Sequence, residues 1–440
     1  MNMWSILLVT ALILLLLRWK LRNTSWQKQE LDLNKLPDPG LLRWIIALVR
    51  GGSSGILQLS KKYHPVTRGY IFCDAVVTTP EDIHKLVTTT NEKAVVLADI
   101  MREATNQPDL NMIFEKNDDD WKNTRTKLAK LFNANQLRGM APLMEARCQY
   151  HIDQLCRPSV INMCEVFKRM TLDVLCSTVL GYKFVDDNDR DLMFDSLVYL
   201  IDVMEKRATS LIPLHRLIPA DNKLKRSIAH LQSVALSVVE STSDEHQGVV
   251  QFMKDAGMAD MDIYYELIGF LIAGFESASF MMTYLFDSLM THPDIQDKLA
   301  AEMRRASTYD QVVAAPLLDA CIKETLRLNP PVSLSMRVLT EPTSFSGFTL
   351  GAGSRVLFLF DSLHRDDEAF SDPSVFNPQH FMEQYSSAHH IPFGGGPRIC
   401  LGKPFALVEG KMLVWTILRN LQFSRESDLI SSGFFLRRKS

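Results

Sequence analysis

The stretch Phe393–Gly402, FGGGPRICLG, gathers residue types that chemistry can use. Three glycines in a row, Gly394, Gly395 and Gly396, let the backbone pass close to another body because no Cβ stands in the way. One cysteine, Cys400, follows, then Gly402 and an amphipathic helical pattern from about Pro404. A thiol at the mouth of a helix feels the positive end of its dipole, which favours the thiolate, the form that binds metals and attacks electrophiles. Backbone N–H groups of the loop can hydrogen-bond that sulfur. Arg398, two residues earlier, is placed to meet an anion on whatever the sulfur binds. The plain alternative is a buried structural cysteine beside an ordinary turn.

Three further constellations accompany this loop. In KETLRLNPP, Glu324 and Arg327 stand three apart on one helix face and can form an ion pair, although most such pairs are solvated surface bridges. Trp121 and Arg125 put an indole donor and a guanidinium one turn apart, suited to ligand carboxylates. In Ala273-Gly274-Phe275-Glu276-Ser277, an acid followed by an alcohol can pass protons, and glycine can allow a local opening of the helix. A kinked core helix with a back-bonded serine would read the same way.

The spacing Phe393-x-x-Gly396-x-Arg398-x-Cys400-x-Gly402 resembles the haem-binding signature of the cytochrome P450 family at every specified position. Glu324 and Arg327 resemble that family's E-x-x-R helix, whose pair locks the core beneath the haem. The family usually completes the pair with an arginine from a P-x-R-F segment. Here Pro378-Gln379-His380-Phe381 puts His380 in that place, where an imidazole can still hydrogen-bond Glu324. Trp121 and Arg125 resemble the family's propionate-binding W-x-x-x-R, and Arg337 lies where another propionate arginine is often found. Residues 273–277 resemble the oxygen-activating A/G-G-x-D/E-T of its long central helix, with Ser277 for the usual threonine. The hydroxyl survives, but the methyl that restricts its rotamer is gone.

The resemblance implies a haem b with Cys400 as the proximal iron ligand, whose thiolate donation promotes O–O cleavage. It further implies a monooxygenase that puts one atom of O2 into a lipophilic substrate, with the other leaving as water. Electrons would come from NADPH through an external partner, for an anchored member NADPH–cytochrome P450 reductase, with Lys403 and Lys411 as docking candidates. A haem-thiolate isomerase or dehydratase, needing no external electrons, is the competing enzyme; Glu276 and Ser277 argue against it. A haem sensor or carrier would need no proton relay at all.

The elements that must position these residues read as mainly α with small β-sheets, the cytochrome P450 fold, in a single large domain after an N-terminal membrane anchor. Helical patterns run over Trp121–Phe132, Ala141–Leu155, Ile161–Leu180 and Leu192–Ala208. Strand-like runs cover Thr67–Phe72, Phe345–Leu350, Ser354–Phe360 and Gly433–Arg437. Ile263–Phe286 is apolar enough to suggest a membrane span. A carboxylate there would cost roughly 2.5–3.5 kcal/mol at mid-bilayer, so a core helix carrying Glu266 and Glu276 is expected. Met3–Leu17 is short of the about 20 residues of a spanning helix, but Arg18, Lys20 and Arg22 follow it and no cleavage site does. Residues 1–22 are therefore read as a single-pass signal anchor with the rest cytoplasmic by the positive-inside rule, at the endoplasmic reticulum if the source is eukaryotic. Residues 23–40 form a Pro-containing linker and 41–440 the haem-thiolate domain.

Composition bounds the rest. A formal net charge of -3 over 440 residues gives no electrostatic argument for nucleic acid. The seven cysteines are odd in number and form no paired motif, which argues against a disulfide framework. The stretches expected to line a substrate pocket are Leu97–Ile113, Met193–Leu211, Val332–Ser335 and Phe434–Phe435. They are mostly apolar, so a fatty acid, sterol, terpenoid or aromatic xenobiotic would fit.

Overall fold

The computed structural model describes residues 32–63, 65–70, 73–89, 92, 102, 119–154, 160–209, 221–240, 249–383, 385, 387–421, 423–425 and 435–438. The expected anchor, the first part of the linker, Leu97–Ile113 apart from Arg102, and Phe434 lie outside the described residues.

Its longer helices, in chain order, are α1 Leu41–Lys62, α2 Pro80–Thr89, α3 Asp119–Ala129, α4 Ala134–Gln154, α5 Met163–Leu175, α6 Asp187–Thr209, α7 Asn222–Glu240, α8 Asp260–Thr291, α9 Pro293–Arg305, α10 Pro316–Leu328 and α11 Lys403–Leu418. Most boundaries follow from local chemistry. The long α8 has Asp260 and Asp262 in its first turn, where the dipole favours anions, and it stops at His292 because Pro293 pushes the residue before it out of the helical region. Pro293 and Pro316 open α9 and α10 at positions whose N–H would have no helical partner anyway. One expected boundary moves: α4 begins at Ala134, not Ala141. The Asn133 side chain accepts from the N–H groups of Asn135 and Gln136, both at 3.0 Å, and starts the helix one turn and more before Pro142, which lies inside it. The pattern over Ile161–Leu180 divides into a strand, α5 and a wide π turn at Cys176–Leu180, closed by Gly181 at φ 69°.

The helices α4, α5, α8, α10 and α11 share one large core, with α8 running through it. By length and composition α8 could cross a membrane, but more than half of its apolar stretch is buried inside the protein, as a core helix requires. Beside this core lies a four-stranded sheet in the order β1 (Val66–Arg68), β2 (Ala75–Val77), β7 (Arg355–Leu359), β4 (Leu334–Val338). Alternation sorts its side chains: Val77 and Phe358 enter one apolar cluster, Val76 and Leu357 the cluster on the other face. A second sheet joins β3 (Val160–Asn162), β9 (Phe435–Arg438) and β8 (Phe423–Arg425). The expected run Phe345–Leu350 is instead a hairpin of β5 (Thr343–Phe345) and β6 (Phe348–Leu350). Ser346 and Gly347 turn it with φ 43° and 88°, and the Asp82 carboxylate accepts from both the N–H and the hydroxyl of Ser346, holding that left-handed residue in place.

Residues 32–40, read from sequence as part of the linker, are bound to this body. Leu36 is buried beside Phe345 and Leu350, and the amide of Thr349 donates to the Asp32 carboxylate at 2.9 Å. The two prolines stiffen the segment, but its leucine has an apolar site to fill.

Candidate active site

The site is built from three groups of residues, centred on α10, on the loop before α11 and on α8. Glu324 and Arg327 sit on α10 with no exposed surface, and their contact is bidentate, Nε to Oε2 at 2.7 Å and Nη2 to Oε1 at 2.8 Å. Remaining donors of Arg327 go to backbone: Nη1 to the carbonyls of His364 (2.8 Å) and Pro373 (2.7 Å), Nη2 to that of Val375 (3.2 Å). Glu324 Oε1 also accepts from the Asn377 amide at 2.8 Å and lies 3.1 Å from His380 Nδ1. His380 is therefore no surface histidine. Its Nε2 lies 2.9 Å from the Ser371 carbonyl, so both ring nitrogens face acceptors, as the donors of an arginine would.

The thiol loop hangs from this node. The Ile391 amide donates to His364 Nε2 at 3.2 Å, and burial holds that imidazole well below its usual pKa range, in the neutral form that can accept. Gly394 N–H donates to the Ile391 carbonyl and Cys400 N–H to the Phe393 carbonyl, each at 2.8 Å. Gly396 is required twice over: its φ is 62°, and a Cβ there would lie 2.0 Å from the Val87 carbonyl oxygen of α2. Arg398 is buried, its guanidinium 3.6 Å from the centre of the Trp121 ring, and Arg125 Nη2 donates to the Ile399 carbonyl at 2.5 Å. Phe393, Gly396, Arg398, Cys400, Trp121 and Arg125 thus form one neighbourhood, and Gly402 caps α11 beside it. Trp121 serves here as a stacking surface for Arg398.

The chemistry of this donor set fits a haem. Among the described cysteines, Cys73, Cys148, Cys176 and Cys321 are buried, Cys164 is half-buried, and only Cys400 is exposed. Arg337 on β4 is 1% exposed; burial pushes its guanidinium down to about 10, and its Nε has no partner among the described residues. A desolvated cation of this kind is satisfied by a carboxylate, which haem propionates would supply.

The third group lies mid-way along α8. Ser277 Oγ donates to the Ala273 carbonyl at 2.8 Å, and Ala273, Ser277 and Phe280 share a helix face on which Ala273 and Phe280 are exposed. Glu276 points elsewhere, to Lys168 of α5, with Nζ to Oε1 at 3.4 Å. Gly274, read from sequence as an opening in the helix, has another role. The helix is unbroken across it, and a Cβ there would lie 3.2 Å from the Leu175 side chain of α5. Glycine at 274 lets two helices approach.

One more sequence reading changes. Lys411, named as a docking candidate, is buried: its ammonium donates to the Val313 carbonyl and pairs with Asp319, both at 2.7 Å. Lys403 remains partly exposed beside the Phe393 ring. Lys168 was missed, because a lone lysine 108 residues from its partner leaves no signal in the sequence.

The node around Glu324 yields a test. His380→Ala removes one donor from a buried carboxylate, so about 1–3 kcal/mol of stability should be lost, seen as a lower melting temperature together with lower haem retention. His380→Arg should keep both. An alanine variant that melts with wild type would mean that the imidazole contact contributes nothing.

Comparison with known proteins agrees with this geometry. A family model for cytochrome P450 matches residues 35–432. Cytochrome P450 3A11 of Mus musculus is 28% identical over 348 residues, which cover 70% of this chain and 68% of that protein. Cytochrome P450 3A31 of Mesocricetus auratus is 29% identical over 350 residues, 71% of this chain and 70% of that one. Cytochrome P450 3A5 of Homo sapiens is 27% identical over 343 residues, with 70% and 68% covered. With a family match along almost the whole chain, the protein belongs to the cytochrome P450 family.

Proposed function

We propose that Cys400 is the thiolate ligand of the haem iron, that Arg398, Arg125, Trp121 and Arg337 hold the haem's carboxylate edge, and that Glu276 and Ser277 deliver protons. The observation that carries the reading is the exposed Cys400 thiol, set in a loop held by Arg125 on one side and by the neutral His364 on the other. As a cytochrome P450 the protein is a monooxygenase with haem b. It takes electrons from NADPH through a separate reductase and acts on lipophilic substrates. When bound, the haem supplies the iron at which dioxygen is activated.

The chain's own residues then have separable tasks. Cys400 stands two residues before Gly402, the N-cap of α11, at the end of the glycine loop. Arg337 and Arg125, both desolvated, would hold the haem's carboxylates and fix its orientation. Ser277 Oγ donates backwards to Ala273 O while keeping lone pairs that can accept a hydrogen bond from water. Glu276 is the acid that refills this hydroxyl. Monooxygenation consumes one O2, one NADPH, one proton and one substrate C–H, and yields an alcohol, water and NADP+. If protons arrive out of order, the same O2, NADPH and proton end as hydrogen peroxide and NADP+. The protein is membrane-associated; that residues 1–22 form its single span, with the body in the cytoplasm, is part of this proposal.

Three measurements test it. The reduced protein should give the red-shifted carbon monoxide spectrum of thiolate haem, and Cys400→Ser should lose it while changes at the other cysteines do not; a normal spectrum in Cys400→Ser sinks the ligand assignment. Ser277→Ala should keep NADPH oxidation but release more peroxide and form less product, whereas Ser277→Thr should couple at least as well as wild type. Full yield per NADPH in Ser277→Ala would rule out the hydroxyl as a proton carrier, and turnover without NADPH would mean an isomerase. Deleting residues 1–22 should release the protein from carbonate-washed membranes with its haem content unchanged; equal retention of both forms would place the anchor elsewhere.

A further inference from the structure

Three residues of α5 meet three consecutive residues of α8, and those three are the ones around the proposed acid. Lys168 Nζ donates to Glu276 Oε1 at 3.4 Å. Thr171, fully buried, donates its hydroxyl to the Phe275 carbonyl at 3.2 Å as well as to Phe167 of its own helix at 2.9 Å. Leu175 lies where a Cβ on Gly274 would come within 3.2 Å. Positions 168, 171 and 175 fall on one face of a helix. The match is one edge against one segment: side chain to side chain at 276, hydroxyl to backbone at 275, packing at 274.

We propose that this edge of α5 positions the proton-delivering segment of α8, and that Lys168 is a positioning residue which sets where the Glu276 carboxylate points. The inference rests on the reading of Glu276 as the acid. Adjacent residues on a helix project about 100° apart, so the Glu276 carboxylate and the Ser277 hydroxyl leave α8 in different directions. A proton can pass between them, directly or through water, only when the Glu276 side chain takes a particular rotamer. Glutamate has three rotatable bonds, and Lys168 is the partner found on its carboxylate. The pair is half-buried at 24% and 30% exposure, which makes it too solvated to add much stability and too enclosed to swing freely. Thr171 and Leu175 meanwhile fix the backbone from which that side chain springs.

The test uses the full-length haem protein with its reductase and needs no organic substrate. Oxygen reduced to peroxide consumes one NADPH and one proton per O2; oxygen reduced to water consumes two of each. The ratio of H2O2 released to NADPH oxidised therefore reports on proton delivery, and a solvent deuterium isotope effect on NADPH oxidation reports on it again. Lys168→Met should raise peroxide per NADPH by about twofold or more and enlarge the isotope effect, a fraction of the ~100-fold that a 1 Å misplacement can cost in rate. Its carbon monoxide spectrum should match wild type, and Lys168→Arg should restore both readouts. Should the methionine variant fail to load haem, Lys168→Gln carries the same comparison. In a Glu276→Gln background, Lys168→Met should add nothing. A wild-type ratio in Lys168→Met, or additive effects in the double variant, would overturn the inference while Glu276→Gln alone still raised peroxide. A wild-type ratio in Glu276→Gln would overturn the acid assignment itself, and the inference with it.

Discussion

The arrangement depends on an ion pair with no water. Glu324 and Arg327 have no exposed surface, and taking two such charges out of solvent costs several kcal/mol each. That cost is met only if every donor and acceptor finds a partner. The donors of Arg327 close on the carbonyls of His364, Pro373 and Val375, and Glu324 collects Asn377 and His380. All five partners lie outside α10, between residues 364 and 380. The pair thus acts as a clip that draws an irregular stretch of chain onto a helix. From His364 the constraint passes through the Ile391 amide into the loop that presents Cys400. The position of the thiol is in this sense a consequence of buried charge.

A second constraint is steric and fixes the helices to one another. Gly410 of α11 faces Met281 of α8 and Ile322 of α10, and a Cβ there would lie 2.5 Å from the Met281 methyl. The helix after the thiol, the helix of the ion pair and the helix of the acid and alcohol therefore meet at one glycine, where a larger residue would have to displace the end of the Met281 side chain. Gly274 repeats the device between α8 and α5. Close approach at these two points leaves α8 little freedom to slide, which a site assembled from four elements requires.

What could be read from sequence depended on how specific each residue type is. A cysteine among glycines with an arginine two before it has few other uses, so Cys400 and its neighbours stood out. His380 was found because its offset from Pro378 marked the place, and the structure brings its ring to Glu324. Lysine is different, since it is common and usually solvated. Lys411 reads as a surface residue although it closes on Asp319 inside the protein, and nothing in the sequence points from Lys168 to Glu276. Glycine hides its purpose as well: Gly274 suggested an opening because its neighbour on α5 cannot be known from α8 alone. Element types were legible by periodicity, whereas the start of α4 was not, because it is set by the side-chain cap at Asn133, upstream of the periodic stretch.

The serine at 277 shows how the two constraints bear on chemistry. Threonine would restrict its hydroxyl through the methyl on Cβ; serine has no such restriction and can visit all three rotamers. In this protein the restraint comes from elsewhere. The hydroxyl donates to the Ala273 carbonyl at 2.8 Å, a back-bond that selects one rotamer and leaves the oxygen's lone pairs free to accept. Such a bond holds its direction only if the helical turn beneath it does not move. That turn includes Gly274, packed on Leu175, and Phe275, whose carbonyl takes the extra bond from Thr171. The rigidity that the side chain lacks is thus supplied by the backbone, and the backbone receives it from α5.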